Sequence, residues 1–455
     1  MIRRTSRIPS QHVVGFILHR ESNGCRGHPA LLGVLLAALL HSADAQEIPR
    51  PSAARQKVKT SLPTVSNFRV GEILMRVDAG LTTEFTDNVN LTPEGQADVI
   101  ITPTVGLNVT WAATRLNTLR FRTSLGYGYY VNSPNLNRSL LTIAPDSALN
   151  FDIYSGDFRI NFHDQFSLQQ DPTTQGSVSG VAQLGRFTNI IGVSILWDTN
   201  DIIWSLGYDH YNLIATGSSS TDDSDTSSFN NLDHSTDQVS ASASFRISSA
   251  VIGGIEVTAS ASKYPEQPQS DYSSFSAGAF FEMQLTRYTH LNVAGGYKSF
   301  TARGTDPDLT SATSTADFQP AGGDPSGFYA NVSVVHRLNR FYSDSLNFGH
   351  SEDVDPYSGL AKANFIRYTG NWRMNEKISL ATGLFYEDVE QAGSGSLTGI
   401  FVANYRRVGF TISTAYQLTE HASVSLGYQF VRKASDEELQ NYAQNRATIS
   451  IGYRF

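Results

Sequence analysis

From Val70 to the C-terminus, apolar and polar residues alternate with a period of two. That is the period of a β-strand whose two faces meet different surroundings. Ile101, Pro103, Val105, Leu107, Val109 and Trp111 fall on one face, with only Thr, Gly and Asn between them. Leu119, Phe121, Leu125 and Tyr127 repeat the pattern, as do Val239, Ala241, Ala243, Phe245 and Ile247, and then Val424, Leu426, Tyr428 and Phe430. The closing stretch, Ala447–Phe455, puts Ala447, Ile449, Ile451, Tyr453 and Phe455 on one side and Thr448, Ser450, Gly452 and Arg454 on the other. The theme yields about eighteen segments, from 70–86 to 442–455, of which 147–154 and 341–350 are the weakest. No helical periodicity competes with it over a comparable length.

The connections sort by length. Tyr154–Asp157, Asp198–Asp201, Leu285–Tyr288, Leu338–Phe341, Met374–Lys377 and Thr419–His421 are tight. Asp87–Gln96, Thr216–Ser235, Ala302–Ser326 and Ser351–Gly359 are long and polar. Short turns at one end and long loops at the other are the pattern of an outer-membrane barrel, with the short turns periplasmic. An even strand count returns the chain to the side where it began, so both termini are expected in the periplasm. Trp111, Trp197, Trp204 and Trp372 all lie beside short connections, and Tyr127, Tyr208, Tyr297, Tyr386 and Tyr428 lie towards the other ends. Indole and phenol rings favour the membrane–water interface, so these residues predict two girdles. The expected fold is all-β: a transmembrane, antiparallel, up-and-down barrel of 16–18 strands. Closure is required because every unpaired backbone group in hydrocarbon costs several kcal/mol.

Composition and targeting agree. Charged residues are 17% of the chain and aromatics 11%. The longest apolar run, Ala30–Leu40, is too short to span as a helix. Arg20, Arg26 and His28 precede it and Ala43-Asp44-Ala45 follows. This reads as a secretory signal over residues 1–45, cut between Ala45 and Gln46, then a flexible periplasmic lead-in over 46–68 and the barrel over 69–455. Cys25 is the one cysteine and falls in the leader, so the exported chain would carry no disulfide. The net charge is −8, and loss of the leader with Arg3, Arg4, Arg7, Arg20 and Arg26 makes it more negative. An acidic exported chain has no electrostatic case for nucleic acid.

Charged strand residues collect on the inward parity. Arg76, Asp78, Arg120, Arg122, Arg159, His163, Arg246, Glu256, Glu282, Lys298, Arg337, Arg367, Arg373 and Arg407 are expected to line a hydrated lumen, since charge facing lipid at mid-depth is costly. Those arginines either favour anionic or hydroxylated solutes or pair with lumenal acids and brace the wall. The acidic loops Asp222-Asp223-Ser224-Asp225, Asp306-Pro307-Asp308 and Glu352-Asp353-Val354-Asp355 lack the glycine and closing acid of a calcium loop, so no metal site and no cofactor is expected. Asp209-His210 is the one suggestive catalytic dipeptide within a strand, but neighbours on a strand point to opposite faces. No phosphate loop or nucleophile elbow is present, and the chain is not expected to be an enzyme.

Gly80-Leu81-Thr82-Thr83-Glu84-Phe85-Thr86-Asp87-Asn88-Val89 and His163–Pro172 resemble the early strands of the β-barrel porin 2 family. The resemblance implies an outer-membrane porin-like protein, some of whose relatives belong to exopolysaccharide systems. The final strand also resembles the C-terminal strand that barrel-assembly machinery recognises, which would make Tyr453 and Phe455 an assembly signal. The functions expected are passive passage of small or oligomeric hydrophilic solutes, a role in exopolysaccharide export or assembly, or a structural barrel whose loops plug the lumen. The partners expected are outer-membrane lipid, the assembly machinery and a hydrophilic solute or polysaccharide.

Overall fold

The computed structural model describes residues 66–137, 141–180, 182–215, 232–266, 271–302, 326–355, 359–392 and 403–455. The leader with Ala45 and Gln46, the lead-in up to residue 65, and the loops 216–231 and 303–325 with their aspartates lie outside the described residues.

The alternating segments become β1 (Phe68–Val70), β2 (Ile73–Thr86), β3 (Asp98–Ala112), β4 (Thr118–Tyr127), β5 (Tyr129–Tyr130), β6 (Leu141–Ser155) and β7 (Phe158–Gln169). They continue as β8 (Arg186–Asp198), β9 (Ile202–Ala215), β10 (His234–Ser248), β11 (Val251–Lys263), β12 (Tyr272–Thr286), β13 (Thr289–Ala302) and β14 (Ser326–His336). The last are β15 (Tyr342–Asp355), β16 (Gly359–Arg373), β17 (Ile378–Ala392), β18 (Tyr405–Gln417), β19 (Ala422–Ser435) and β20 (Tyr442–Arg454). β1 is a stub folded back on β2, with Phe68 opposite Met75, and β5 continues β4 beyond Gly128. The others pair antiparallel in chain order, and β20 pairs with β2, Asp78 facing Arg454. The result, among the described residues, is a closed antiparallel barrel of eighteen strands. Among the described residues each of the eighteen barrel strands pairs on both sides, the condition for a sheet to stand in hydrocarbon.

The two weakest segments are full strands. β6 reaches back to Leu141 through an irregularity between Ile143 and Ser147. Pro145 lies there and cannot donate to the ladder, which is why the period breaks. β15 runs on to Asp355, which faces Gly359 of β16. The expected long loop Ser351–Gly359 is therefore mostly strand. Turns at 113–117, 156–157, 199–201, 249–250, 287–288, 337–341, 374–377 and 418–421 gather at one rim. Gly156 supplies the positive φ (56°) that a two-residue hairpin needs.

The outer face is apolar and open. Leu81, Val105, Ile255, Ile366, Leu426 and Ile449 are all exposed, as no soluble sheet would leave them. Trp111, Trp197, Trp204 and Trp372 are exposed at the short-turn rim, and Trp197 stacks on Phe158 with ring centroids 5.6 Å apart. Tyr127, Tyr208, Tyr297, Tyr386 and Tyr428 are exposed towards the other rim. The two girdles bracket a lipid-facing belt. Tyr453 and Phe455 meet edge to face at 5.3 Å on the same outer surface.

Candidate functional site

Inside the wall, opposite charges pair. Arg76 bonds Asp78 at 3.0 Å, and Arg454 approaches the same carboxylate at 3.8 Å. Arg120 and Arg159 both grip Asp152, which is fully buried and also accepts from Asn161 Nδ2 at 3.0 Å. Arg367 and Arg407 share Glu387 at 3.0 and 2.9 Å. At each of these places two guanidiniums share one carboxylate, which leaves an excess positive charge. Arg122 pairs with Asp146 at 2.5 Å, Arg246 with Asp198 at 3.0 Å, and Lys298 with Asp353. The wall formed by β11 and β12 carries carboxylates of its own. Glu256 accepts from the Tyr329 hydroxyl at 2.8 Å, and Glu282 stands half-buried one inward step beyond Phe280. Arg337 and Arg373 are exposed at the short-turn rim.

Asp209 and His210 separate as adjacent strand residues must. Asp209 points inward to His163 Nε2 at 2.7 Å, while His210 Nδ1 meets Asp237 at 2.8 Å on the outer face. His163, Gly192 and Asp209 stand in register on β7, β8 and β9. A Cβ at Gly192 would sit 2.7 Å from the His163 ring nitrogen, so glycine is what lets the pair reach across β8.

The feature that organises the lumen is the segment Gln170–Gly185 between β7 and β8. It turns inward and reaches the far wall formed by β18, β19 and β20. It starts with a single 3-10 turn, Pro172–Thr174, capped by Asp171, whose side chain accepts from the Thr173 amide at 2.9 Å. Asp171 then takes Arg446 of β20 in a two-pronged pair at 2.7 and 3.1 Å. Arg407 of β18 donates to the Thr173 carbonyl at 3.2 Å. Lys433 of β19 donates to the Ser177 carbonyl at 3.1 Å and to Ser179 Oγ at 3.0 Å. A Cβ on Gly176 would lie 2.6 Å from the Tyr405 hydroxyl. Val178 and Leu184 are fully buried, in one apolar cluster with Tyr211, Leu213 and Leu232 on the β9–β10 side. The segment thus bridges the lumen at the long-loop end, held by polar struts on one side and apolar packing on the other. Arg407 and Lys433 are each 1% exposed, so they are struts beneath the bridge rather than groups in open water.

A second inward loop meets it. The Gly180 amide donates to the Leu91 carbonyl at 3.0 Å. Leu91, between β2 and β3, is fully buried against Val431 and Tyr442 and holds a left-handed φ of 54°. That conformation costs an ordinary residue about 1–2 kcal/mol, offset by burial of its side chain, which contributes a similar amount.

Burial alone would raise the Asp171 carboxyl, but Arg446 and the Thr173 hydrogen bonds outweigh it and hold it at about 2. A depressed carboxyl contributes attachment that is present above the ordinary range near ~4 and is lost as pH falls through the lowered value. The bridge is therefore expected to stay docked from neutral pH down to about 4 and to loosen between there and about 2. Single-channel current recorded across that range checks it; a change centred above pH 5 would contradict the assignment to Asp171.

Sequence reasoning missed this bridge. Gln170–Gly185 is as polar and as rich in Gly and Ser as a surface loop. The signal lay elsewhere: Arg407, Lys433 and Arg446 crowd the loop-side ends of three neighbouring strands, more inward cation than Glu387 and Glu84 balance.

A closed antiparallel barrel with an apolar belt outside and charge inside is a transmembrane β-barrel of the outer-membrane kind. No family model matches the chain, and no curated protein matches it. Among solved structures it is similar to OccK5 (OpdH) of Pseudomonas aeruginosa, at 9% identity over 84% of this chain and 98% of that one, with a TM-score of 0.44. It is similar to P. aeruginosa OpdK with vanillate, at 10% over 84% and 99%, TM-score 0.45. It is similar to OmpT, an outer membrane protein of Vibrio cholerae, at 11% over 85% and 99%, TM-score 0.39. At this level the likeness concerns the fold alone.

Proposed function

We propose that the chain is an outer-membrane channel for passive passage of small hydrophilic solutes, with both termini in the periplasm and the bridge Gln170–Gly185 setting the width of the mouth. The observation that carries this reading is the combination of a closed eighteen-strand wall with a charged inner face crossed by one strutted segment. Barrels of this size hold an aqueous channel unless something fills them. Conductance of the chain without its leader, refolded in a planar bilayer, and swelling of liposomes in small sugars test it. Absence of both current and swelling overturns it. A lumen closed by the bridge and the Leu91 loop is the second reading, favoured by the Gly180–Leu91 contact; it predicts no current until the bridge is cut.

The lumen charges predict the ion preference. The shared carboxylates Asp78 and Asp152 leave positive excess on β2, β4, β6, β7 and β20, while Glu282 adds a negative charge on β12. Opposed excesses give weak overall selectivity that single substitutions tip. Arg120→Gln is expected to move the reversal potential in a salt gradient towards cations, and Glu282→Gln towards anions. Both shifts should grow as salt is lowered, because screening lengths lengthen. Shifts of the same sign would contradict the assignment.

A further inference from the structure

Two aromatic rings lie flat on the inner wall between β11 and β14. Glu256, Gly278, Gly296 and Tyr329 stand in one register row across the four strands. The Tyr329 ring runs along that row over Gly296 and Gly278 until its hydroxyl reaches Glu256 at 2.8 Å. A Cβ at Gly296 would lie 2.8 Å from Tyr329 Cε1, and one at Gly278 would collide with the hydroxyl. In the next row, Phe280 covers Gly254, where a Cβ would collide with its ring. Both rings are half-buried on the inward face, with one side against the sheet. Three glycines thus clear a floor on which two rings lie side by side.

The polar groups around this floor are of both kinds. Glu256 and Glu282 flank Phe280 along the wall, and both accept hydrogen bonds when ionised. Lys298 follows Gly296 on the inward face of β13 and donates. Asn331 and Asn292, in register with the Phe280 and Glu282 rows, do both. Lys298 is already paired with Asp353, so a bare anion would meet mainly carboxylates, and a bare cation would leave the amide and ammonium donors unused. A hydroxylated ring suits all of them, since each hydroxyl both donates and accepts and the ring's C–H face can lie on an aromatic face. We propose that Phe280 and Tyr329 form a stacking platform for a pyranose ring, with Glu256 and Glu282 taking its hydroxyls. The platform would slow a sugar in transit and favour it over an acyclic solute of equal size. This rests on the passage reading above.

The experiment is current interruption by maltotriose in a bilayer holding single channels, with arginine as the cationic comparison. The sugar is expected to interrupt the current in a concentration-dependent way. Phe280→Leu and Tyr329→Leu keep apolar bulk but remove the flat face, and each is expected to raise the apparent Kd about tenfold, the scale of losing one stacked ring. A heat-dependent shift in gel mobility like that of the parent shows that each variant barrel has folded. Tyr329→Phe keeps the ring and is expected to retain most of the block. Maltotriose block unchanged in both leucine variants overturns the proposal, as does block by arginine but not by sugar. A conducting channel that maltotriose never interrupts overturns the platform alone, while a chain that carries no current overturns the passage reading and the platform with it.

Discussion

Replacing residues 173–184 with a short glycine–serine link is expected to raise single-channel conductance severalfold and to admit larger sugars in the swelling assay. The segment reaches from β7 to struts on β18, β19 and β20, so it occupies the lumen at the mouth rather than lying on a wall. Everything it excludes there is cross-section for ions. The wall itself should survive, because the strand ladders on both sides of the cut are complete without the loop. Shortening a loop between neighbouring antiparallel strands also adds little closure entropy, which scales only with the logarithm of length. The losses are the apolar contacts of Val178 and Leu184, about 1.5–3 kcal/mol each, and the hydrogen bonds that Arg407 and Lys433 donate to the segment, which water entering the widened mouth replaces in part. Conductance unchanged by the excision would show that some other segment sets the width.

Arg407→Met is expected to lower unfolding stability by about 3 kcal/mol in a urea titration of the lipid-embedded barrel, and to expose residues 173–179 to protease. Arg407 is buried and bonds Glu387 and the Thr173 carbonyl. Its removal leaves the buried Glu387 with one guanidinium fewer and the Thr173 carbonyl without this donor, and breaking a buried charged contact costs about 3–5 kcal/mol. The lower figure applies because Arg367 still holds Glu387 at 3.0 Å. Arg406→Met is the control. Its guanidinium faces outward, pairs with Asp388 at 3.1 Å and is 70% exposed, so its removal should leave the titration unchanged. Equal effects from the two neighbours would mean that Arg407 does not brace the bridge.

That contrast shows how far alternation could be followed. A wall with lipid on one side and water on the other imprints its period on the chain, so Arg407 could be assigned inward and its neighbour outward from parity alone. The period fades where both sides are wet. Ser351–Asp355 of β15 rises past the tyrosine girdle, where nothing demands apolar residues on the outer face, and it reads as a polar loop. Pro145 hid the start of β6 by removing one ladder donor. The bridge was illegible for a different reason. A segment inside the lumen touches charged strand ends and one small apolar cluster, so it needs only Val178 and Leu184 to be buried among many serines and glycines. Parity places a charge inside the barrel, but whether it meets water, an acid or a returning loop depends on contacts between strands far apart in sequence. Arg446 with Asp171 is such a contact.

The seam where β20 meets β2 also governs how the molecule is made. Thr82 and Ser450 share a hydrogen bond at 3.0 Å across a separation of 368 residues, and the backbone pairs around them close the ring. The two strands that form this seam are the first and the last of the barrel to be synthesised. Until β20 arrives, every partial sheet carries two unpaired edges and a long apolar face, the surfaces that drive misassociation. Contacts of such separation also form slowly, because the intervening chain must be ordered first. The chain therefore has a prolonged vulnerable stage before closure, in which those edges and that apolar face stay open to wrong partners.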